Sequence, residues 1–386
     1  MKILHTSDLH IGKKLDGVCR LEEQKQVLEE IVEIAKENLV DVAVIAGDVF
    51  DTYIPSADAE NLFFEIMDDF AEIGVTVVCV SGNHDDADRL IASKSLASKR
   101  GIYLCGGKND FESSQKGRVK LVSSGDNYLV LEKDGREVFF ATVPYFGEAP
   151  IGYAVDREKD FNERVGEILQ DVFSYKKDGQ DGVLVTHLFM LGGERSEGER
   201  CIDLGGVKVL SPHTIPENCL YTALGHLHKR QVVSNSKNVI YSGSPLQYAY
   251  DEVGVEKSVT IFEIGDGSVK NLQTVKLKSG RSLAKISCIG IDSVDVKLSN
   301  FADKFVDLTI FTDRAMTLDE RAYIKNKYPF VTSLKVDMSN SLKQTERVER
   351  RSLSESELFI DFYTRKYGNP PDDDLMKAYL EIMAKE

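Results

Sequence analysis

The stretch Val42-Ala43-Val44-Ile45-Ala46-Gly47-Asp48-Val49-Phe50-Asp51 decides the fold. Small and β-branched apolar residues run without alternation, as in a strand covered on both faces, and the run ends in glycine and a carboxylate. The pattern recurs four times. Ile3-Leu4 leads into Ser7-Asp8-Leu9-His10, Val75–Val80 into Gly82-Asn83-His84-Asp85, Val183–Thr186 into His187, and Tyr221–Leu224 into Gly225-His226-Leu227-His228. Catalytic groups of open α/β sheets gather at the carboxyl ends of strands. Five strand ends that deliver Asp8, His10, Asp48, Asn83, His187, His226 and His228 point to one convergent metal site.

Each piece has a plainer explanation when taken alone. Asp-x-His arises by chance, Asp48 could cap a loop, and Asn83 could sit in a left-handed turn after Gly82. A lone His187 could be a hydrogen-bonded core residue. Gly225–His228 is more specific, because alternate strand residues point the same way and glycine permits close backbone approach. The mixed nitrogen and oxygen donors suit Mn²⁺, Fe²⁺ or Zn²⁺ better than Ca²⁺, and the lack of thiolates argues against a structural zinc. Two such ions about 3.5–4 Å apart can clamp a phosphoryl group and acidify a water.

Around these ends the chain alternates strand and helix patterns up to about Ala97. Leu21–Leu39 and Ser56–Ile73 have helical spacing, with Ser56 as N-cap of the second. Beyond Gly101, Tyr128–Glu132 and Glu137–Thr142 flank a hairpin turn at Asp134-Gly135. A helix follows near Asp160–Tyr175, and Val259–Ile264 pairs with Leu272–Leu277 across Gly265-Asp266-Gly267. The fold class is α/β: a sheet sandwich with helices outside over residues 1–280. Residues 281–338 read as a small α+β domain. Residues 339–351 are a polar linker, and residues 352–386 carry two amphipathic helices broken at Gly368-Asn369-Pro370-Pro371.

The 386 residues are too many for one ordinary core. No apolar run reaches the ~18 residues of a membrane span, and Lys2–Thr6 is strand-like rather than a signal peptide. Cys19, Cys79, Cys105, Cys201, Cys219 and Cys288 form no CxxC pair and read as buried, reduced thiols of a cytoplasmic protein. The net charge of −15, from 48 Lys+Arg against 63 Asp+Glu, speaks against unaided tight binding of nucleic acid. It does not exclude a nuclease whose metals carry the charge at the phosphate.

Together Asp8-x-His10, Gly47-Asp48-x-x-Asp51, Gly82-Asn83-His84-Asp85, His187 and Gly225-His226-x-His228 resemble the calcineurin-like metallophosphoesterases. Within that superfamily, His5–Gly12, Gly47–Asp51, Val143-Pro144-Tyr145 and Tyr241-Ser242-Gly243-Ser244-Pro245 resemble the SbcD-type nuclease subunits of bacteria, counterparts of the Mre-type nucleases. The resemblance implies a four-layer metallophosphoesterase sandwich, a DNA-binding α+β capping domain and a C-terminal helical pair that binds an SbcC-type ATPase. It implies two divalent ions, Mn²⁺ by preference and Mg²⁺ as the alternative for both. Asp8, His10, Asp48 and His228 would hold one, and Asp48, Asn83, His187 and His226 the other. His84 matches the non-ligand catalytic histidine, with Asp51 and Asp85 as candidates to orient or charge it. Archaeal relatives carry histidine where this chain has Asp51.

The activity implied is a 3′→5′ exonuclease on duplex DNA and a single-strand endonuclease, acting in repair and recombination within an ATP-driven, nucleoid-associated complex that holds a homodimer of this chain. Lys229, Arg230 and Arg89 are candidate DNA contacts, with solvated loops as the alternative. Two other readings keep the same metal residues: a stand-alone phosphodiesterase or phosphatase for small substrates, and a non-catalytic scaffold.

Overall fold

The computed structural model describes residues 1–146, 159–194, 196, 209–338, 359–360, 363–364, 371 and 375–376. The chain divides into two units, Met1–Ala284 with Asp303–Phe305, and Lys285–Ala302 with Val306–Glu386. In the first unit a six-stranded sheet has the order Ser268–Lys276, Ser258–Gly265, Lys2–Thr6, Val42–Ala46, Thr76–Val80, Ile102–Cys105. Its last four strands are parallel, and Ser258–Gly265 runs antiparallel to Lys2–Thr6. An eight-stranded sheet has the order Gln231–Ser234, Val239–Tyr241, Cys219–Leu224, Asp181–Thr186, Arg136–Val143, Tyr128–Lys133, Val119–Gly125, Ser114–Lys116. Its parallel centre runs from Val239–Tyr241 to Arg136–Val143.

The unbroken apolar runs are explained by two cores sharing each strand. Ile3, Val42, Val44, Ala46 and Val78 face the second sheet, where they pack among residues that include Val183, Val185, Tyr221 and Ala223. Leu4, Ala43, Ile45, Val77 and Cys79 face outward, onto the apolar sides of helices Leu21–Glu37 and Ala57–Glu72. The outer face of the second sheet packs on helix Phe161–Ser174 through Val165, Leu169 and Val172. The layers are therefore helix, sheet, sheet, helix, the metallophosphoesterase arrangement. The helix starts obey local rules: Ser56 Oγ accepts from Ala59 N at 3.3 Å, and Asp160 and Glu163 form a reciprocal capping box.

Turn chemistry sets the registers. Asp134 and Gly135 have φ of 53° and 78°, so Lys133 pairs directly with Arg136 through a two-residue turn. The strand expected from Leu272 begins earlier, at Ser268, because pairing continues straight from the Asp266-Gly267 turn. Its exposed Lys270 and Asn271 give it no apolar signal. Ile102–Cys105, the short edge strand of the first sheet, was also unmarked in the sequence pattern.

A three-stranded sheet, most of whose residues belong to the second unit, has the order Leu283–Ile289, Phe305–Phe311, Val331–Asp337, and helices Val294–Leu298 and Leu318–Lys327 lie in that unit. The expected linker 339–351 and most of the expected helical pair 352–386 lie outside the described residues. Cys79, Cys105, Cys219 and Cys288 are buried free thiols, whereas Cys19 is exposed, contrary to expectation, because it lies in a short surface hairpin. Cys201 lies outside the described residues. No described helix is long and apolar enough to cross a membrane.

Candidate metal centre

All five strand ends open on one site. The loop after Lys2–Thr6 zips onto the loop after Val42–Ala46: Asp8 N donates to Gly47 O at 3.0 Å, His10 N to Asp48 O at 3.0 Å and Ile11 N to Val49 O at 2.9 Å. This turns Asp8, His10 and Asp48 inward at a conformational cost, since their φ values are 53°, 44° and 50°. His226 has φ of 105°. Left-handed conformations of non-glycine residues gather at functional sites, where the surroundings over-determine them. Asn83 is not among the positive-φ residues, so the plainer alternative of a left-handed turn residue does not apply to it. Glycine is required at two neighbours for a steric reason. A Cβ on Gly82 would collide with the Asp48 carboxylate and amide, and one on Gly225 with the Ala46 carbonyl and the His187 ring.

Asp48 lies between two groups of donors. Its Oδ2 is 3.5 Å from His10 Nε2 and 3.4 Å from His187 Nε2. On one side His10 Nε2 and His228 Nε2 face each other at 3.0 Å, and Asp8 joins them. On the other, Asn83 Oδ1 is 2.9 Å from His187 Nε2 and 2.8 Å from His226 Nδ1. All are buried except His226, which is half-buried.

The donor chemistry fits cations. His187 Nδ1 lies 2.8 Å from the Ala46 carbonyl, to which only an N–H can donate. A neutral His187 then turns its Nε2 lone pair toward the oxygens of Asp48 and Asn83. Facing lone pairs repel unless positive charge lies among them. Without metal a proton does this: against the desolvation of a buried ring, Asp48 and Asp8 push His187 up to about 9. Burial disfavours charge on Asp48, yet His187, His10 and His84 hold its carboxyl well below the usual range. Burial raises Asp8, opposed by His187 and His228. His10 is pushed down to about 3 by burial, which leaves a neutral imidazole suited to ligation. The cluster fits a two-metal site with Asp48 shared.

His84 stands beside this cluster, its ring centroid 4.6 Å from that of His10. Its amide donates to Asp48 Oδ1 at 2.8 Å, and its Nδ1 lies 2.8 Å from the Asp51 carbonyl oxygen. The carbonyl makes Nδ1 a donor, so Nε2 carries the lone pair of the neutral ring. The Asp51 carboxylate bonds Lys13 Nζ at 2.8 Å and lies 3.5 Å from His10 Nδ1. Asp85 works differently: its oxygens accept from Val49 N at 3.0 Å, Phe50 N at 2.8 Å and Gly82 N at 2.8 Å. It ties the Asp48 loop to the Asn83-His84 loop. Burial and the Asp48 charge raise it to about 6 despite those amides.

Several supporting residues escaped sequence reasoning. Ser7 Oγ donates to Asp8 Oδ2 at 2.5 Å and lies 2.7 Å from Ser242 Oγ, while His226 N donates to Asp8 Oδ1 at 2.9 Å. Gln24 Nε2 holds the His10 carbonyl at 2.7 Å. Glu252, fully buried, lies 3.4 Å from His228 Nδ1. No local pattern marks Glu252; only its contact does. His5 lies outside the cluster, with Nδ1 3.0 Å from Tyr221 Oη. Among the candidate DNA contacts, Lys229 pairs with Glu194 at 3.1 Å and Arg89 with Glu60 at 2.8 Å, both exposed. Arg230 is half-buried, its Nε enclosed.

The family model for calcineurin-like phosphoesterases matches residues 1–230. The SbcD subunit of the SbcCD nuclease from Bacillus subtilis (strain 168) is 31% identical over 395 aligned residues, covering 99% of this chain and 97% of that protein. Its namesake from Staphylococcus epidermidis is 28% identical, covering 94% and 92%. Among solved structures, a dimetal phosphatase from Danio rerio shares 11% identity, covering 72% of this chain and 99% of its own, with a TM-score of 0.39. A family match across most of the first unit and a relative 31% identical along nearly the whole chain agree, and the protein belongs to the calcineurin-like phosphoesterases, on their SbcD branch, as a metal-dependent phosphoesterase.

Proposed function

We propose that this chain is a DNA nuclease subunit that hydrolyses phosphodiester bonds with two manganese ions. The observation that carries the metal reading is Asp48 Oδ2, set 3.5 Å from His10 Nε2 and 3.4 Å from His187 Nε2 at the meeting point of two donor groups. Asp8, His10, Asp48 and His228 would hold one ion; Asp48, Asn83, His187 and His226 would hold the other. When bound, the ions supply Lewis-acid charge to the phosphoryl oxygens and acidify the attacking water. His84 would lie beside the phosphate and act in its imidazolium form: Nδ1–H stays on the Asp51 carbonyl, and the Nε2 proton passes to the leaving 3′ oxygen, which leaves the ring neutral. The Asp51 carbonyl fixes the ring's tautomer, and Ser7 and the His226 amide keep Asp8 in place.

The DNA substrate rests on the SbcD likeness along the full chain. By the same likeness the activities are a 3′→5′ double-strand exonuclease and a single-strand endonuclease. The chain acts as a homodimer joined to an SbcC-type ATPase in an ATP-driven complex, in repair and recombination. Residues 281–338 bind DNA, and residues 352–386 bind the ATPase. Purified chain incubated with Mn²⁺ or Mg²⁺ should degrade end-labelled duplex DNA, with Mn²⁺ the better ion. Activity confined to a chromogenic phosphodiester would instead favour a small-substrate enzyme.

Two expected results follow. Removing residues 352–386 should abolish capture of the ATPase in a pull-down and leave the Mn²⁺-dependent nuclease rate of the isolated chain unchanged; retained capture would refute the assignment. Lys229→Ala should weaken DNA binding uniformly across sequences and flatten the slope of log K against log salt by about 0.9, the value for one duplex phosphate. Arg230 is less suitable for this test, since truncating it also disturbs packing. An unchanged slope would count against Lys229 as a backbone contact.

A further inference from the structure

We propose that Glu252, braced by Lys257, is a positioning residue for His228 and sets the affinity of one of the two metal positions. The proposal rests on the two-metal reading above. Glu252 is 1% exposed. One oxygen, Oε1, lies 3.4 Å from His228 Nδ1 and accepts from Tyr248 N at 3.0 Å and Ala249 N at 3.1 Å. The other accepts from Lys257 Nζ, which also donates to the His228 carbonyl and to Ser244 Oγ, each at 2.8 Å. Lys257 thus grips both the backbone of His228 and the carboxylate facing its ring.

The geometry has a chemical consequence. With Nδ1–H directed at a carboxylate, His228 is held as the tautomer whose Nε2 lone pair points inward, where it meets His10 Nε2 at 3.0 Å. A carboxylate behind a ligating imidazole also raises its basicity. Two other imidazoles of the site are oriented by weaker or more exposed partners. His187 has the neutral Ala46 carbonyl at 2.8 Å. His10 has Asp51 at 3.5 Å, a partly exposed carboxylate shared with Lys13. Stability does not account for the pair, since a buried ion pair is at best a weak contributor to folding. The surrounding loop has its own fastening, because Gln247 Nε2 donates to the carbonyls of Glu252 at 2.8 Å and Val255 at 3.0 Å.

Metal-free protein titrated with Mn²⁺, followed by calorimetry and by the electron spin resonance of coupled against isolated Mn²⁺, tests this without turnover. Wild type should bind two ions per chain as a coupled pair; failure there would overturn the two-metal reading itself. Glu252→Gln, nearly isosteric, should weaken one position about 10–100-fold, the range for such outer partners. The other position should stay within about threefold, and the isolated-ion signal should replace the coupled one at limiting metal. Lys257→Met, which leaves the Glu252 side chain in place, should weaken the same position about 10-fold. Gln247→Ala loosens the loop without touching His228 and should change neither affinity. Two wild-type affinities in Glu252→Gln and Lys257→Met, or an equal loss in Gln247→Ala, would overturn the proposal.

Discussion

His84→Gln is expected to lower turnover on DNA by about 10²–10⁴-fold, the usual contribution of a positioned general acid, while two ions remain bound. The side chain holds no ion in the proposed assignment, and the contact that ties this residue to Asp48 is made by its backbone amide. Replacing the ring therefore leaves the Asp48 loop fastened. The sharper measurement compares two esters. The 3′ oxygen of DNA is a poor leaving group and needs the proton, whereas a nitrophenolate leaves without one. The loss on a nitrophenyl phosphodiester should be smaller by at least about tenfold. Equal losses on both would sink the acid role and leave His84 only the stabilisation of charge on the phosphate.

Asp85→Ala should be the most damaging change that touches neither ion nor substrate. It removes the acceptor for the amides of Val49, Phe50 and Gly82 together. A buried donor left unsatisfied costs about 1–3 kcal/mol, so the three should cost at least about 3 kcal/mol. Relief of a buried charge that its surroundings disfavour, shown by the shift to about 6, offsets only part of this. Thermal melting of the metal-free protein should fall by several degrees, and Mn²⁺ affinity should fall at both positions, because Asp48 serves both in the proposed assignment and Asn83 follows Gly82. A melting curve equal to wild type would show that Asp85 is not the tie between the loops.

The candidate ligands were legible because each lies in a local pattern. An apolar run ending in Gly-Asp, Gly-Asn or Gly-His speaks through neighbours a few residues apart, and a doubly covered parallel strand imposes that run. The helices flanking the first sheet were legible by the same means, through 3.6-residue spacing and a Ser56 cap. What failed was either short or outwardly polar. Ile102–Cys105 is four residues long, and the outer strand from Ser268 shows Lys and Asn to solvent, so pairing alone defines it.

By itself the sequence determined a sheet sandwich with helices outside, the five strand ends and the identity of the residues gathered there, since periodicity and turn chemistry are local properties of the chain. Only the tertiary structure decided how those residues are held. Asp85 reaches an amide 36 positions away, and Glu252 faces a ring 24 positions away. The left-handed backbone at Asp8, His10, Asp48 and His226 is stabilised by contacts between separate strands. A carboxylate's partner depends on distances that no spacing along the chain encodes. That is why the ligands could be read in advance, while the residues that orient them appeared only once the two sheets had met.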